Sequence, residues 1–203
     1  PAGEVRYQDI RKVYPYENKL IVLRLTGAEI LKYLEASYDA WINTVTEPSE
    51  DVHVLRIKQS KDYSTGKMVW KLAKSPANFD SAAGINYTVD VTKPYGSRVS
   101  ITGMADGKAF EMDKEYLAAI TTYRSVGSGG LLKAAGLADM KSVEDRIVYR
   151  GPEFRTILYE YFKKYGSVDP AVTGDPKIIG SWKFVPDFAP AAIKSDVELL
   201  YGK

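Results

Sequence analysis

The stretch Thr121-Thr122-Tyr123-Arg124-Ser125-Val126-Gly127-Ser128-Gly129-Gly130-Leu131-Leu132 joins an apolar run, 116–120, to a segment that opens like a helix. Four small residues in a row let a backbone approach a ligand closely. An aromatic and an arginine stand directly before them. Strand, aromatic, glycine-rich turn and helix is a layout that can hold a flat ring and orient polar groups around it. The same residues also serve as a plain tight turn between a strand and a helix. Residue chemistry alone leaves both readings standing.

Outward from this stretch, the pattern predicts both helices and strands. Leu20-Ile21-Val22-Leu23-Arg24-Leu25 is apolar and β-branched, which predicts a mostly buried strand. Thr26 with Glu29 three residues on forms a capping box. Ile30, Leu34, Tyr38 and Trp41 keep helical spacing to about Val45. Residues 46–75 read as a surface excursion, with an acidic loop at Glu47, Glu50 and Asp51 and a strand at 52–57. Residues 85–91 alternate cleanly, Lys93-Pro94-Tyr95-Gly96 turns, and 98–101 returns, which makes a β-hairpin. The strand at 116–122 then leads into the glycine-rich turn.

Beyond it, a short helix is expected within 131–138 and a short strand at 146–149. Pro152 is placed to open a helix at its favoured first position. That helix buries Phe154, Ile157, Leu158, Tyr161, Phe162 and Tyr165 and stops at Gly166. Residues 168–180 read as loop, 182–185 as a strand, and 187–203 as a tail packed on the surface. Strands joined both by hairpins and through helices predict an α+β layered domain with a mixed β-sheet flanked by helices, not a Rossmann fold. One domain over 1–203 is expected, with 167–203 as a C-terminal extension.

Composition narrows the function classes. The chain has 203 residues, 45% hydrophobic and 27% charged, enough for a sizeable core. Its net charge of +2 gives no reason to expect nucleic acid or an anionic membrane as the main partner. Without cysteine there is no disulfide, thiolate zinc site or cysteine nucleophile. His53 is the single histidine. Zinc sites usually collect several His and carboxylate ligands, so a self-contained one is not expected. No Gly-x-Ser-x-Gly elbow accompanies His53 to make a triad. Gly127 to Gly130 lacks the Lys-Ser/Thr that a P-loop needs. Fifteen tyrosines beside 6 Phe and 3 Trp fit partly open ligand sites and half-buried surfaces equally. No segment is long and apolar enough to span a bilayer. Pro1-Ala2-Gly3-Glu4 carries no signal peptide and reads as the start of a mature or trimmed product.

Three stretches together resemble the C-terminal domain of the 5′-nucleotidase family. The first is Tyr14-Pro15-Tyr16-Glu17-Asn18-Lys19-Leu20 with Leu25-Thr26-Gly27-Ala28-Glu29-Ile30 and Leu34-Glu35. The second is Phe79-Asp80-Ser81-Ala82-Ala83-Gly84-Ile85-Asn86-Tyr87-Thr88-Val89-Asp90, followed by Gly96-Ser97-Arg98-Val99. The third is 123–130. They occur in family order over roughly 3–132, with weaker similarity to Tyr165. The Tyr-Arg opening of the third looks closer to the 2′,3′-cyclic-nucleotide 2′-phosphodiesterase/3′-nucleotidase branch.

The resemblance implies a nucleoside-binding domain that stacks the base between two aromatics, here Phe79 and Tyr123. A separate metallophosphoesterase domain or chain, absent here, carries two divalent metals and hydrolyses the phosphoester. This chain would hold no cofactor and no catalytic residue. Its partners would be a nucleoside or nucleotide and that N-terminal domain, with no nucleic acid polymer. Its place would be periplasmic or secreted. Gly127 and Gly129 would shape the turn, Arg124 would reach a phosphate or pair at the surface, Asn86 would reach the base edge or ribose, and Asp80 would do the same or cap its own turn. Many 5′-nucleotidases have an Asp at the position of Gly129 that binds ribose, and the family's Asn-Gly-Gly-x-Arg segment lies upstream of the position matching Pro1. These departures leave open a second expectation, a secreted interaction module of the same fold that no longer binds nucleosides.

Overall fold

A computed structural model describes residues 6–47, 49 and 52–202, apart from the side chains at 170 and 172. The expected start at Pro1-Ala2-Gly3-Glu4, and Glu50 and Asp51 of the acidic loop, lie outside these. The chain runs α1 (Tyr7–Val13), β1 (Lys19–Thr26), α2 (Gly27–Asp39), β2 (Ile57–Lys61), β3 (Met68–Leu72), a 3-10 turn at Pro76–Asn78, β4 (Ile85–Asp90), β5 (Val99–Met104) and β6 (Glu115–Thr121). It continues with α3 (Thr122–Ser125), α4 (Leu131–Ala135), α5 (Met140–Glu144), β7 (Ile147–Glu153), α6 (Phe154–Tyr165), α7 (Pro170–Thr173), α8 (Pro176–Ile179), β8 (Trp182–Val185) and α9 (Ala189–Tyr201).

Helices and sheets are mixed as the pattern predicts, but the strands divide among three sheets. β1 is the centre of the first, antiparallel to β6 on one side and β7 on the other. Its buried positions, Ile21, Leu23 and Leu25, alternate with more exposed ones, as the pleat of a strand requires. The second sheet is the hairpin of β2 and β3. In the third, β4 pairs antiparallel with β5 and parallel with β8.

α2 lies between the cores of the first and third sheets. Thr26 Oγ1 accepts from Glu29 N at 3.2 Å and Glu29 Oε2 accepts from Thr26 N at 2.7 Å, so the predicted capping box is formed. Tyr33 packs with Leu23, Leu25, Leu131 and Leu132, while Leu34 and Tyr38 pack with Ile85, Tyr87 and Val89. One helix therefore fixes both sheets, and each fully buried Leu or Ile in these clusters contributes on the order of 2 kcal/mol.

Several elements differ from the sequence pattern. α2 ends at Asp39, not near Val45. Tertiary hydrogen bonds take the next residues: Arg56 N donates to Trp41 O, Asn43 N to Val54 O, and Ile42 bridges Leu55. The strand expected at 52–57 begins instead at Ile57, because the Leu55 amide is taken by Asp196 Oδ2 at 2.8 Å. Pro152 lies near the end of β7 and not in α6. β7 is an edge strand with a register shift between its pairings to Lys19 and Ile21, a place where a missing N–H costs no ladder bond. Residues 168–180 hold the one-turn helices α7 and α8, and the tail is the 13-residue helix α9. The segment after 167 also reaches the core: β8 extends the third sheet, and Ala189 is fully buried in its cluster.

Candidate functional site

Tyr123 and Arg124 stand where the three motif stretches meet. β6 delivers the chain to Thr121, whose Oγ1 accepts from Arg124 N at 3.3 Å and so caps the single turn α3. From the first motif, Asn18 Oδ1 accepts from Tyr123 N at 3.1 Å and from Thr122 Oγ1 at 3.2 Å. Directly before the second, Asn78 Oδ1 accepts from Tyr123 Oη at 3.1 Å.

Arg124 is 4% exposed, and its guanidinium is spent inside the protein. Nε and Nη2 donate to the two oxygens of Asp80 at 2.7 and 2.8 Å. Nη2 also donates to Ala77 O at 2.8 Å and Nη1 to Ser128 O at 3.2 Å. Burial opposes the cation, but the hydrogen bonds and charge of Asp80 outweigh it and hold its pKa above the ordinary value. Asp80 is held in turn: Tyr33 Oη donates to Oδ2, and Ser37 Oγ accepts from Asp80 N and donates to Asp80 O. Burial raises the Tyr33 pKa, and the neighbouring Asp80 charge raises it further.

The glycine-rich turn is shaped to this lock. Gly127 and Gly129 have φ of +85° and +79°, in the left-handed region that glycine tolerates. A Cβ at Gly129 would stand 2.4 Å from Arg124 Nη1 and 3.1 Å from Asn78 Oδ1. At Gly127 it would meet nothing within 4 Å. The guanidinium thus occupies the room that any side chain at 129 would need.

The expected site residues separate into groups. Phe79 stacks on Trp41, with ring centroids 4.0 Å apart, and meets Tyr38 edge-on. It also lines a mainly apolar cavity of about 760 Å³, with Asp80 and Arg124 beside it and β6 as the opposite wall. Tyr123 does not line this cavity. It is 38% exposed, with the Arg124 guanidinium carbon 5.2 Å from its ring centroid. Phe79 therefore lines the cavity and Tyr123 does not, although Asn78, directly before Phe79, bonds the Tyr123 hydroxyl. The Asn86 side chain bonds Met104 O, Ser181 N and Ser181 Oγ. Its hydrogen-bonding atoms hold the third sheet together, where a role at the base edge or ribose was expected.

Sequence reasoning passed over Asn78, Ala77 and Tyr33. Asn78 had a signal, a polar residue directly before Phe79. Ala77 contributes only a carbonyl, which no side-chain pattern can announce. Among the described residues no three His, Asp or Glu gather to hold a metal ion.

The family model of the 5′-nucleotidase C-terminal domain matches residues 1–136. A 2′,3′-cyclic-nucleotide 2′-phosphodiesterase/3′-nucleotidase of Haemophilus influenzae is 26% identical over 196 residues, covering 91% of this chain and 26% of that protein. A trifunctional nucleotide phosphoesterase of Bacillus subtilis is 26% identical over 199 residues, covering 92% of this chain and 12% of that protein. Among solved structures, a putative 5′-nucleotidase from Staphylococcus aureus superposes with a TM-score of 0.54 at 20% identity, covering 87% of this chain and 29% of that one. A 5′-nucleotidase precursor from Thermus thermophilus superposes at 0.50 and 16%, covering 92% and 29%. The chain therefore spans less than a third of the length of these relatives.

Proposed function

Because the chain belongs to the 5′-nucleotidase C-terminal domain family, we propose that it is the nucleoside-recognising part of a nucleotide phosphoesterase. The observation that carries this reading is Tyr123, an exposed residue whose backbone amide is held by Asn18 and whose ring hydroxyl is held by Asn78, where three separated motifs converge. A ring held this way loses little side-chain freedom when a base stacks on it, and such stacking is worth about 1–3 kcal/mol. Phe79, fixed on Trp41, gives the neighbouring apolar wall. Arg124 acts here as a positioning residue, since its donors serve Asp80, Ala77 and Ser128. Gly127 and Gly129 let the turn follow it. The names of the relatives favour a cyclic nucleotide or a 3′-nucleotide as the ligand.

The described residues do not fit the two divalent metals that hydrolysis in this family implies, because no ligand cluster is present among them. No hydrolytic step is assigned to this chain. The metals and the chemistry belong, in this reading, to an N-terminal domain or partner chain, and the complete protein works in the periplasm or outside the cell. One solved relative is described as a precursor, which fits that location.

Fluorescence titration with adenosine, adenosine 3′-monophosphate and 2′,3′-cyclic AMP tests the reading. The wild-type chain is expected to bind at least one of them, and Tyr123→Ala to lose about tenfold or more in affinity. One observation favours the second reading, an interaction module without nucleoside binding: Phe79 is stacked on Trp41, and Tyr123 does not line the cavity beside it. A wild-type chain that binds none of the three ligands would overturn nucleoside binding by the isolated chain.

A further inference from the structure

The whole-chain balance of charge conceals a strong segregation. Residues 56–74 hold six basic residues, Arg56, Lys58, Lys61, Lys67, Lys71 and Lys74, against Asp62 alone. That is +5 in a chain whose total is +2, so the remainder carries −3. The segment is the β2–β3 hairpin with its flanks. Lys58 and Lys71 are direct partners across the ladder, so two like charges share one face. Such a pair is unfavourable unless an anion lies between or above it. All five lysines are exposed, and none forms an ion pair within 4.0 Å among the described residues.

The tip adds a second feature. Asp62 Oδ1 accepts from Ser64 N at 2.9 Å and Ser64 Oγ at 2.8 Å, and Oδ2 accepts from Thr65 Oγ1 at 3.0 Å. Asp62 N donates to Lys67 O and Gly66 N to Asp62 O, so the turn is firmly built. On it Tyr63 is 94% exposed, and Met68 beside it is 59% exposed. The root is equally fixed. Trp70 packs edge-on against His53 at 4.8 Å, and His53 Nδ1 bonds the buried Asp196 of α9 at 2.7 Å. The hairpin is thus a rigid projection with an aromatic tip between Lys61 and Lys67.

We infer that this hairpin docks on an anionic bilayer surface, with Tyr63 at headgroup depth and the lysines over lipid phosphates. Lysines alone would suit any polyanion. The exposed Tyr63 at the tip, between Lys61 and Lys67 in the chain, chooses the bilayer, because an aromatic ring with a polar end settles at the lipid interface while flanking lysines meet anionic headgroups. The inference does not depend on nucleoside binding and would hold if that reading failed. It concerns attachment to the surface only, since no described helix is long and apolar enough to cross a membrane.

Sedimentation with vesicles of one part phosphatidylglycerol to three parts phosphatidylcholine tests it. The chain is expected to bind these at low salt, to lose most binding at about 0.3 M salt, and to ignore pure phosphatidylcholine. Lys58→Glu with Lys71→Glu should weaken binding by about tenfold or more. Lys133→Glu with Lys177→Glu changes net charge equally but lies off the hairpin, and should change binding by less than about twofold. Tyr63→Ala should weaken binding a few-fold without altering its salt dependence. Unchanged melting temperatures would show that the variants fold. Absence of binding to the anionic vesicles would overturn the inference, as would equal losses in the two double variants. Capture by soluble polyglutamate without vesicle binding would overturn it in favour of an acidic protein surface.

Discussion

Arg124 grips both carboxylate oxygens of Asp80, Nε on Oδ2 at 2.7 Å and Nη2 on Oδ1 at 2.8 Å, across 44 residues of sequence. This pair ties the glycine-rich turn to the Phe79 turn and sets where Tyr123 stands. Removing Arg124 leaves the partly buried Asp80 carboxylate with Tyr33 on Oδ2 but without its counter-charge. Arg124→Ala should therefore destabilise the chain by about 3 kcal/mol or more, read from urea denaturation. Arg124→Lys should recover only part, because an ammonium cannot make the two-pronged contact. Losses below about 1 kcal/mol for Arg124→Ala would deny the lock its role.

Gly129 and Gly127 separate two costs of substitution. Alanine at 127 meets open space and should cost only the left-handed backbone strain, about 1 kcal/mol. Alanine at 129 also collides with Arg124 and should cost clearly more, about 2 kcal/mol or above. Aspartate at 129, the residue many 5′-nucleotidases resembling this chain have there, should be no better tolerated unless Arg124 is removed with it. Equal melting temperatures for the two alanine variants would contradict this.

Phe79 and Tyr123 should respond unequally to truncation. Phe79→Ala removes the stack on Trp41 and the contact with Tyr38, costing about 2–3 kcal/mol. It should also shift tryptophan emission to the red as Trp41 meets water. Tyr123→Ala should cost less than about 1 kcal/mol, since its ring is largely at the surface. Calorimetry on both variants checks the contrast.

Alkaline pH should expose the buried tyrosines. Burial raises the pKa of Tyr33, with Asp80 adding to it, and burial with the Tyr87 hydroxyl raises that of Tyr38. A raised value favours the neutral phenol in the folded state. Their contribution is present in full below the unfolded tyrosine value, about 10, and is lost as pH rises through it toward the folded values. Stability should hold from about pH 7 to 9 and then fall by about 1.4 kcal/mol per pH unit for each such tyrosine. Tyr33→Phe should make the fall shallower. An unchanged slope in that variant would remove Tyr33 from the account.

Local signals in the sequence carried much of the fold. The capping box of Thr26 and Glu29, the alternation through β4 and the Gly166 stop are short-range chemistry, and each appears where it was read. The misreadings have long-range causes. Nothing near Trp41 announces that Arg56 will take its carbonyl, and nothing near Leu55 announces Asp196 from α9. The helix α1 was missed because Ile10 is its one buried residue, which leaves no apolar stripe to recognise. In the site, Tyr123 and Arg124 were legible as an aromatic and a cation before small residues. That the cation would turn inward to Asp80 was not, because burial depends on which turns the fold brings together. Net charge likewise could not reveal the basic hairpin, since a sum discards position.

The proposed nucleoside site lies at the junction of Tyr123, the glycine-rich turn and the Phe79 turn. Backbone amide NMR of the 203-residue chain, titrated with adenosine 3′-monophosphate, tests it most directly. The account predicts saturable shifts at 78–80 and 123–130, absent in Tyr123→Ala, with 57–72 unmoved. Shifts confined to other regions, or none at millimolar ligand, would contradict it.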